Sequence, residues 1–422
     1  MPATKQIVAR RIHTNVVLPI VLFFFLTIGN YSFFRYSIHG IENAPLYLKL
    51  APYIRLLIPV WIIGYCLWMN HKLTCRIFAD HFDILLLGFS WMISGLLSLD
   101  IASYLFYGLW SLFSLLSILL YISFSSITSR AKSEFLLTTL HVLWIGNFVI
   151  LVLDGATMVS MKPHGGMYQM FFSSNTFWAY PTMIMGILAI IKMRFTAPKL
   201  GKKIYYFSIF LICLAAVYFS ARRSPLFSLT FATILIFIPP RTPHILAITI
   251  LILFFCILFN STTGEHMIKS LPESYMKYRI ERMSGLIKGR KETSYTERQK
   301  IWKIYLDRFY EKPVFGEGLA AVKRIKSNLK NNPEGVSAHN TFIGLLAETG
   351  LAGALLMLIV LARSFNFLFK YANANWIKIY LILFFPTLVI NWVEYNLIPG
   401  QIFFLYTMII WIMPRGLQYL SK

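Results

Sequence analysis

Runs of about 17 to 25 apolar residues recur along most of the chain, each long enough to cross a hydrocarbon core as an α-helix. Lipid offers no partner for a backbone N–H or C=O, so a chain of this kind has two options: helices or a closed barrel. A barrel would show segments of about ten residues alternating apolar and polar, and these runs do not alternate. The expectation is an all-α, polytopic membrane protein. Charge content agrees: 14% of the 422 residues are charged, against roughly a quarter in soluble proteins.

The runs place membrane helices near 16–34, 51–69, 82–99, 101–126, 135–153, 171–192, 204–221, 224–239, 244–260, 340–362, 376–393 and 399–416, about twelve in all. Lys5, Arg10 and Arg11 precede the first, and no small-residue cleavage site follows Phe34, so it reads as an uncleaved span. Twelve spans put both termini on one side. Lys72, Arg76, Arg130, Lys132, Lys192, Arg194, Lys199, Lys202, Lys203, Arg241, Arg363 and Lys370 fall in loops of that same side. Lys and Arg mark cytoplasmic loops, so that side is cytoplasmic and the long segment 261–338 is external. The net charge of +23 has the same origin and does not call for nucleic acid. The chain thus divides into helices one to nine (1–260), a large periplasmic loop (261–338) and helices ten to twelve (339–422). Arg222-Arg223 runs against the rule, in a tight turn on the outer side. Either the count is off by one helix or the pair is functional. The four cysteines make no disulfide framework and no CxxC metal pattern.

Within the loop, Glu273–Ile287 and Glu297–Tyr310 are expected to be helical. The second places Ile301, Trp302, Tyr305, Leu306 and Phe309 on one face. Lys312-Pro313-Val-Phe-Gly316-Glu-Gly318 then breaks it. The loop ends on His339-Asn340, where the next apolar helix begins. At 100° per residue, Ile343, Leu346, Gly350 and Gly353 share the face of His339, and glycines there admit a neighbouring helix or a lipid chain. His339 is either an interfacial helix-end residue or a base, since an imidazole, titrating near about 6.5, accepts a proton at neutral pH. Glu348 sits on the opposite face, roughly 13 Å deeper, as a structural partner or a catalytic acid.

Arg298, opening the loop helix, and Arg223, opening helix eight, are candidates to clamp a lipid diphosphate bidentately; Arg222 can do the same work. The chain has no P-loop lysine motif, no paired acidic motif in an external loop and no nucleotide-binding domain. A transferase whose donor already carries a good leaving group fits, with no cofactor and no metal called for.

His339-Asn340, nine residues, Gly350, two residues, Gly353 resembles the signature of the O-antigen ligase and Wzy-type polymerase superfamily. The preceding order of an Arg, Trp302, Pro313 and Gly316-Glu-Gly318 resembles it too, and Phe219-Ser-Ala-Arg-Arg223-Ser-Pro-Leu is similar to the family's Ser-Arg helix start. Asn175 and Glu394 are looser matches. The resemblance implies a metal-independent, inverting glycosyltransferase of the bacterial inner membrane with its site facing the periplasm. Its donor would be a glycan on undecaprenyl diphosphate. Its acceptor would be a lipid A–core sugar in a ligase, or a second lipid-linked repeat in a polymerase. It also implies that His339 acts on the acceptor hydroxyl, that Arg298 and Arg223 hold the diphosphate, and that membrane grooves take the polyprenyl chain. A flippase for the same lipids is the alternative of another class. It would carry charges along a path through several helices, whereas here they gather at one face. A structural envelope component is the blandest alternative.

Overall fold

A computed structural model describes residues 46–96, 101–128, 163–164, 167–168, 175–195, 199–219, 223–237, 293–319, 338–393 and 402–420. The expected helices at 16–34, 135–153, 244–260 and 273–287 lie outside these residues. The helices are α1 (Leu46–Asp80), α2 (Phe82–Leu96), α3 (Ile101–Thr128), α4 (Asn175–Phe195), α5 (Leu200–Phe219) and α6 (Arg223–Phe237). They continue as α7 (Thr293–Glu311), α8 (Thr341–Tyr371), α9 (Ala374–Val393), α10 (Ile402–Ile412), a 3₁₀ turn (Met413–Gly416) and α11 (Leu417–Leu420). The described residues are helical apart from connecting turns and one two-residue ladder, Pro163–His164 against Met167–Tyr168, which apolar patterning gave no reason to expect.

The described residues up to 128 and from 301 onward make one compact unit, and those from 163 to 300 make the other. In the second unit α4 packs on α5 and α6. Gly186 permits the approach: a Cβ there would lie 2.9 Å from Leu229 Cδ1 and 3.1 Å from Cys213 Cβ. In the first unit α2 and α3 meet through Gly88 and Gly108, where an added Cβ would lie 2.4 Å from Leu112 Cδ1 and 2.8 Å from Met92 Cα. Small residues at helix contacts are how membrane helices gain packing without a hydrophobic drive. A polar seam joins α9 to α10: Asn391 Nδ2 donates to Thr407 Oγ1 (3.1 Å), and Trp411 Nε1 donates to Thr387 Oγ1 (3.2 Å).

Among the described residues, α8 and the stretch Ala374–Trp392 of α9 are each long and apolar enough to cross a membrane. Leu57–Asp80 and Phe82–Leu96 qualify together as a pair bent by 75°. Large apolar side chains such as Trp68, Phe82, Ile212, Leu355, Leu358 and Trp392 stand exposed on these helices and on α5. So much exposed apolar surface suits lipid and not water. The chain is a membrane protein.

The expected loop carrying Lys72 and Arg76 is helix instead. α1 runs on to Asp80, interrupted at Asn70 (φ −162, ψ 86). Asn70 restarts it as a cap, its Oδ1 accepting from Leu73 N–H at 3.1 Å. The single Thr74 hydroxyl proton is shared between the Cys66 and Asn70 carbonyls, both 3.0 Å from Oγ1.

A buried charge cluster closes this end of the unit. Arg415, fully buried, donates through Nη1 and Nη2 to Asp83 (2.9 and 2.6 Å), through Nε to Ser364 Oγ (3.0 Å) and through Nη2 to the Val360 carbonyl (2.7 Å). Arg363 adds a third bond to Asp83, at 2.9 Å. His81 Nδ1 lies 3.3 Å from Arg415 Nη1. A guanidinium only donates, so Nδ1 accepts and the ring proton sits on Nε2. Gln418 Nε2 is placed 3.0 Å from His81 Nε2, so with the ring proton there the Gln418 amide is assigned the opposite way round, its oxygen accepting.

Candidate functional site

The site is built where the loop helix meets the start of α8. Asn340 is the N-cap: extended (φ −160, ψ 116), it accepts at Oδ1 from Phe342 N–H (2.9 Å) and Ile343 N–H (3.0 Å). That satisfies two of the amides every helix start leaves open. One residue earlier, His339 has φ 47, the one positive φ outside glycine among the described residues. Such a conformation costs a side-chain-bearing residue about 1–2 kcal/mol and persists where its surroundings over-determine it.

Those surroundings come from α7. The helix runs as the sequence pattern predicts, with Ile301 and Tyr305 buried and Trp302, Leu306 and Phe309 half-buried. Trp302 Nε1 donates to the Ala338 carbonyl at 2.8 Å. A backbone hydrogen bond also joins Ala338 to the Tyr305 phenol. Burial, then the charge of Glu348, pushes the Tyr305 phenol well above its ordinary range, so it stays neutral at any working pH. His339 is thus a one-residue left-handed pivot between a pinned Ala338 and a capping Asn340, and its side chain remains half-buried.

Below the pivot, α8 breaks. Gly350 has φ 64 and ψ −166, a region open in practice to glycine alone. A break strands backbone groups on both sides, and the turn after α7 supplies partners to each side. Glu317 N–H donates to the Ala347 carbonyl (3.0 Å) and Gly318 N–H to that of Glu348 (2.8 Å); Leu351 and Ala352 N–H donate to the Pro313 (2.8 Å) and Val314 (3.0 Å) carbonyls. Ser94 Oγ of α2 gives the Glu348 carbonyl a second donor. Two glycines make room for this. A Cβ on Gly350 would lie 2.3 Å from the Val314 oxygen, and one on Gly316 would lie 2.4 Å from the Glu348 carbonyl carbon. The turn is held to α7 in its own right, with Glu317 within 3.8 Å of both Arg308 and Lys312.

This corrects the expectation drawn from a continuous 3.6-residue period. Gly350 and Gly353 do not extend a glycine face from His339 toward another helix or a lipid chain. The period stops at Gly350, and what approaches is the Pro313–Gly318 turn. Gly353 faces Thr349, whose Oγ1 a Cβ would meet at 2.1 Å.

Within the first unit the structure thus sets His339 and Asn340 at the start of α8, and Gly316, Gly318, Gly350 and Gly353 about its break, roughly 15 Å further along the helix. Arg298, half-buried in the second turn of α7, and Arg223 and Asn175, the first residues of α6 and α4, belong to the second unit. Arg222 and Glu394 lie outside the described residues. The 3.6-residue period puts Trp302 and Tyr305 on one face of the loop helix without saying what they hold. A contact 36 residues away leaves no local pattern to find.

Residues 208–358 match the family model for O-antigen ligase. The matched stretch contains Arg222, Arg223, Arg298, Gly316, Gly318, His339, Asn340, Gly350 and Gly353, while Asn175 and Glu394 fall outside it. A search of curated proteins finds no match.

Proposed function

We propose, from the match of residues 208–358 to the family model for O-antigen ligase, that the chain transfers a glycan from undecaprenyl diphosphate to a lipid A–core sugar at the periplasmic face of a bacterial inner membrane. The observation that carries the reading is the left-handed hold on His339. Backbone strain of this kind, fixed from both sides, is kept where a side chain must point one way.

In the proposed step the acceptor hydroxyl oxygen attacks the anomeric carbon of the donor glycan. Its proton passes to the His339 imidazole, the bond from the anomeric carbon to the diphosphate oxygen breaks, and the configuration inverts. Undecaprenyl diphosphate leaves with the bonding pair, its charge met by Arg298 and by Arg223 or Arg222. Guanidinium groups supply the countercharge, so the scheme needs no metal and no cofactor. Asn340 sets the helix start that carries His339, and Glu394 and Asn175 are further candidates to contact sugars.

The test uses the purified full chain in lipid nanodiscs with a lipid-linked glycan and lipid A–core. Glycan on lipid A–core is the expected product, and His339→Ala should lower its rate by about 10²–10⁴-fold, the range for losing a positioned base. A ladder of longer lipid-linked chains would instead identify a polymerase. Undiminished transfer by His339→Ala would remove the enzyme reading built on this residue.

A further inference from the structure

Three features stand outside the proposed chemistry: the Asp83–Arg415 cluster, the Gly316–Gly350 interlock and the aromatic pair at Ala338. The first two are fully paired structural ties. The third acts directly on the residue beside the proposed base. We propose that Trp302 and Tyr305 are positioning residues for His339, setting its backbone and hence the direction of its imidazole through the peptide of Ala338; the inference rests on the functional reading above.

The argument starts from what holds a left-handed residue in place. On the C-terminal side of His339 the Asn340 cap is sufficient by itself, since its Oδ1 accepts from two amides of the first turn of α8. On the N-terminal side Ala338 is fully buried and is itself part of no helix or strand. Buried backbone groups need partners. Trp302 Nε1 reaches the carbonyl at 2.8 Å, and the Tyr305 phenol takes a backbone bond of the same residue. Trp302 and Tyr305 are three apart on α7, so both lie on one helix face and act from one rigid element. Tyr305 is itself buried, within range of the Glu348 charge.

A change that deletes one hydrogen bond and keeps the ring tests this without emptying the core. Trp302→Phe removes the donor, and Tyr305→Phe removes the phenol. Each is expected to lower kcat by about 10–100-fold with the donor KM within about two-fold, because misplacing a reacting group by an ångström has an effect of that order. Melting temperature in detergent should move by a few degrees at most. The decisive readout is a double-mutant cycle with His339→Ala: a residue acting only through His339 changes nothing once the imidazole is gone. Trp302→Phe and Tyr305→Phe should leave the residual rate of His339→Ala where it is.

Ala338→Gly keeps both backbone groups but loosens the peptide, and should lower kcat in the same way; it carries the test if an aromatic variant does not fold. Wild-type kcat in the folded Phe variants, or a further fall when they are added to His339→Ala, would overturn the positioning role while leaving the functional reading intact. Full activity of His339→Ala alone would instead overturn the functional reading and this inference with it.

Discussion

At the scale of residues, the site turns on a single φ angle. His339 is left-handed at 47° because Asn340 must be extended to cap α8 while Ala338 is already committed to α7. The cap can be tested apart from the chemistry. Asn340→Ala leaves Phe342 and Ile343 N–H without their acceptor, at a cost of about 1 kcal/mol. Asn340→Asp keeps an acceptor at the same place and should hold the wild-type melting temperature in detergent, whereas Asn340→Ala should lower it. If Ala and Asp melt alike, the cap contributes nothing and the pivot is held from α7 alone. His339 and Asn340 were legible in the sequence because polar, titratable residues at the edge of an apolar run stand out. The angle was not legible, since it is the joint product of segments far apart in the chain.

At the scale of elements, the interlock of the Pro313–Gly318 turn with broken α8 converts two glycines into requirements. Gly350→Ala adds a Cβ where backbone already stands at 2.3 Å, in a conformation closed to L side chains. Gly316→Ala does the same against Glu348. Strain alone costs about 1–3 kcal/mol at such a position, and the clash adds to it, so both variants should lose most folded protein in size-exclusion profiles. Gly353 makes a contrast. The obstacle there is the Thr349 side chain, not backbone. Gly353→Ala should therefore be destabilising alone and be largely restored by adding Thr349→Ala, while Val314→Ala should not restore Gly350→Ala. Apolar periodicity placed α8 correctly and missed its break, because residues on both sides of Gly350 are apolar and period counting carries straight through. It missed Asn70 in α1 for the same reason. A glycine inside an apolar run leaves the choice between close packing and a broken helix to whatever packs against it.

At the scale of the whole molecule, the twelve-span threading puts the start of the third span, the segment just after the tenth and the end of the twelfth on one membrane side. The structure brings Asp83, Arg363 and Arg415 from those three places into contact, as segments of one side must be able to do. What hydropathy could not show is that Arg415 is fully buried rather than a solvated anchor of the positive-inside kind. A charge buried with its partner is costly to orphan and cheap to replace in pairs: removing one member of such a pair typically costs about 3–5 kcal/mol, while an apolar pair of similar volume can be neutral. Arg415→Met and Asp83→Leu should each reduce folded yield and melting temperature sharply, and the double variant should recover a large part of the loss. Ser364, the partner of Arg415 on α8, lies about 20 Å along the helix from the break at Gly350, counting 1.5 Å per residue. The cluster thus holds the bundle at one end while Ala338–Asn340 holds the proposed chemistry at the other. Whatever fraction of Arg415→Met folds should transfer glycan with wild-type kcat per folded molecule. A fall in kcat without loss of folded protein would mean instead that the two ends of α8 are coupled, and that the break at Gly350 transmits what happens at Asp83.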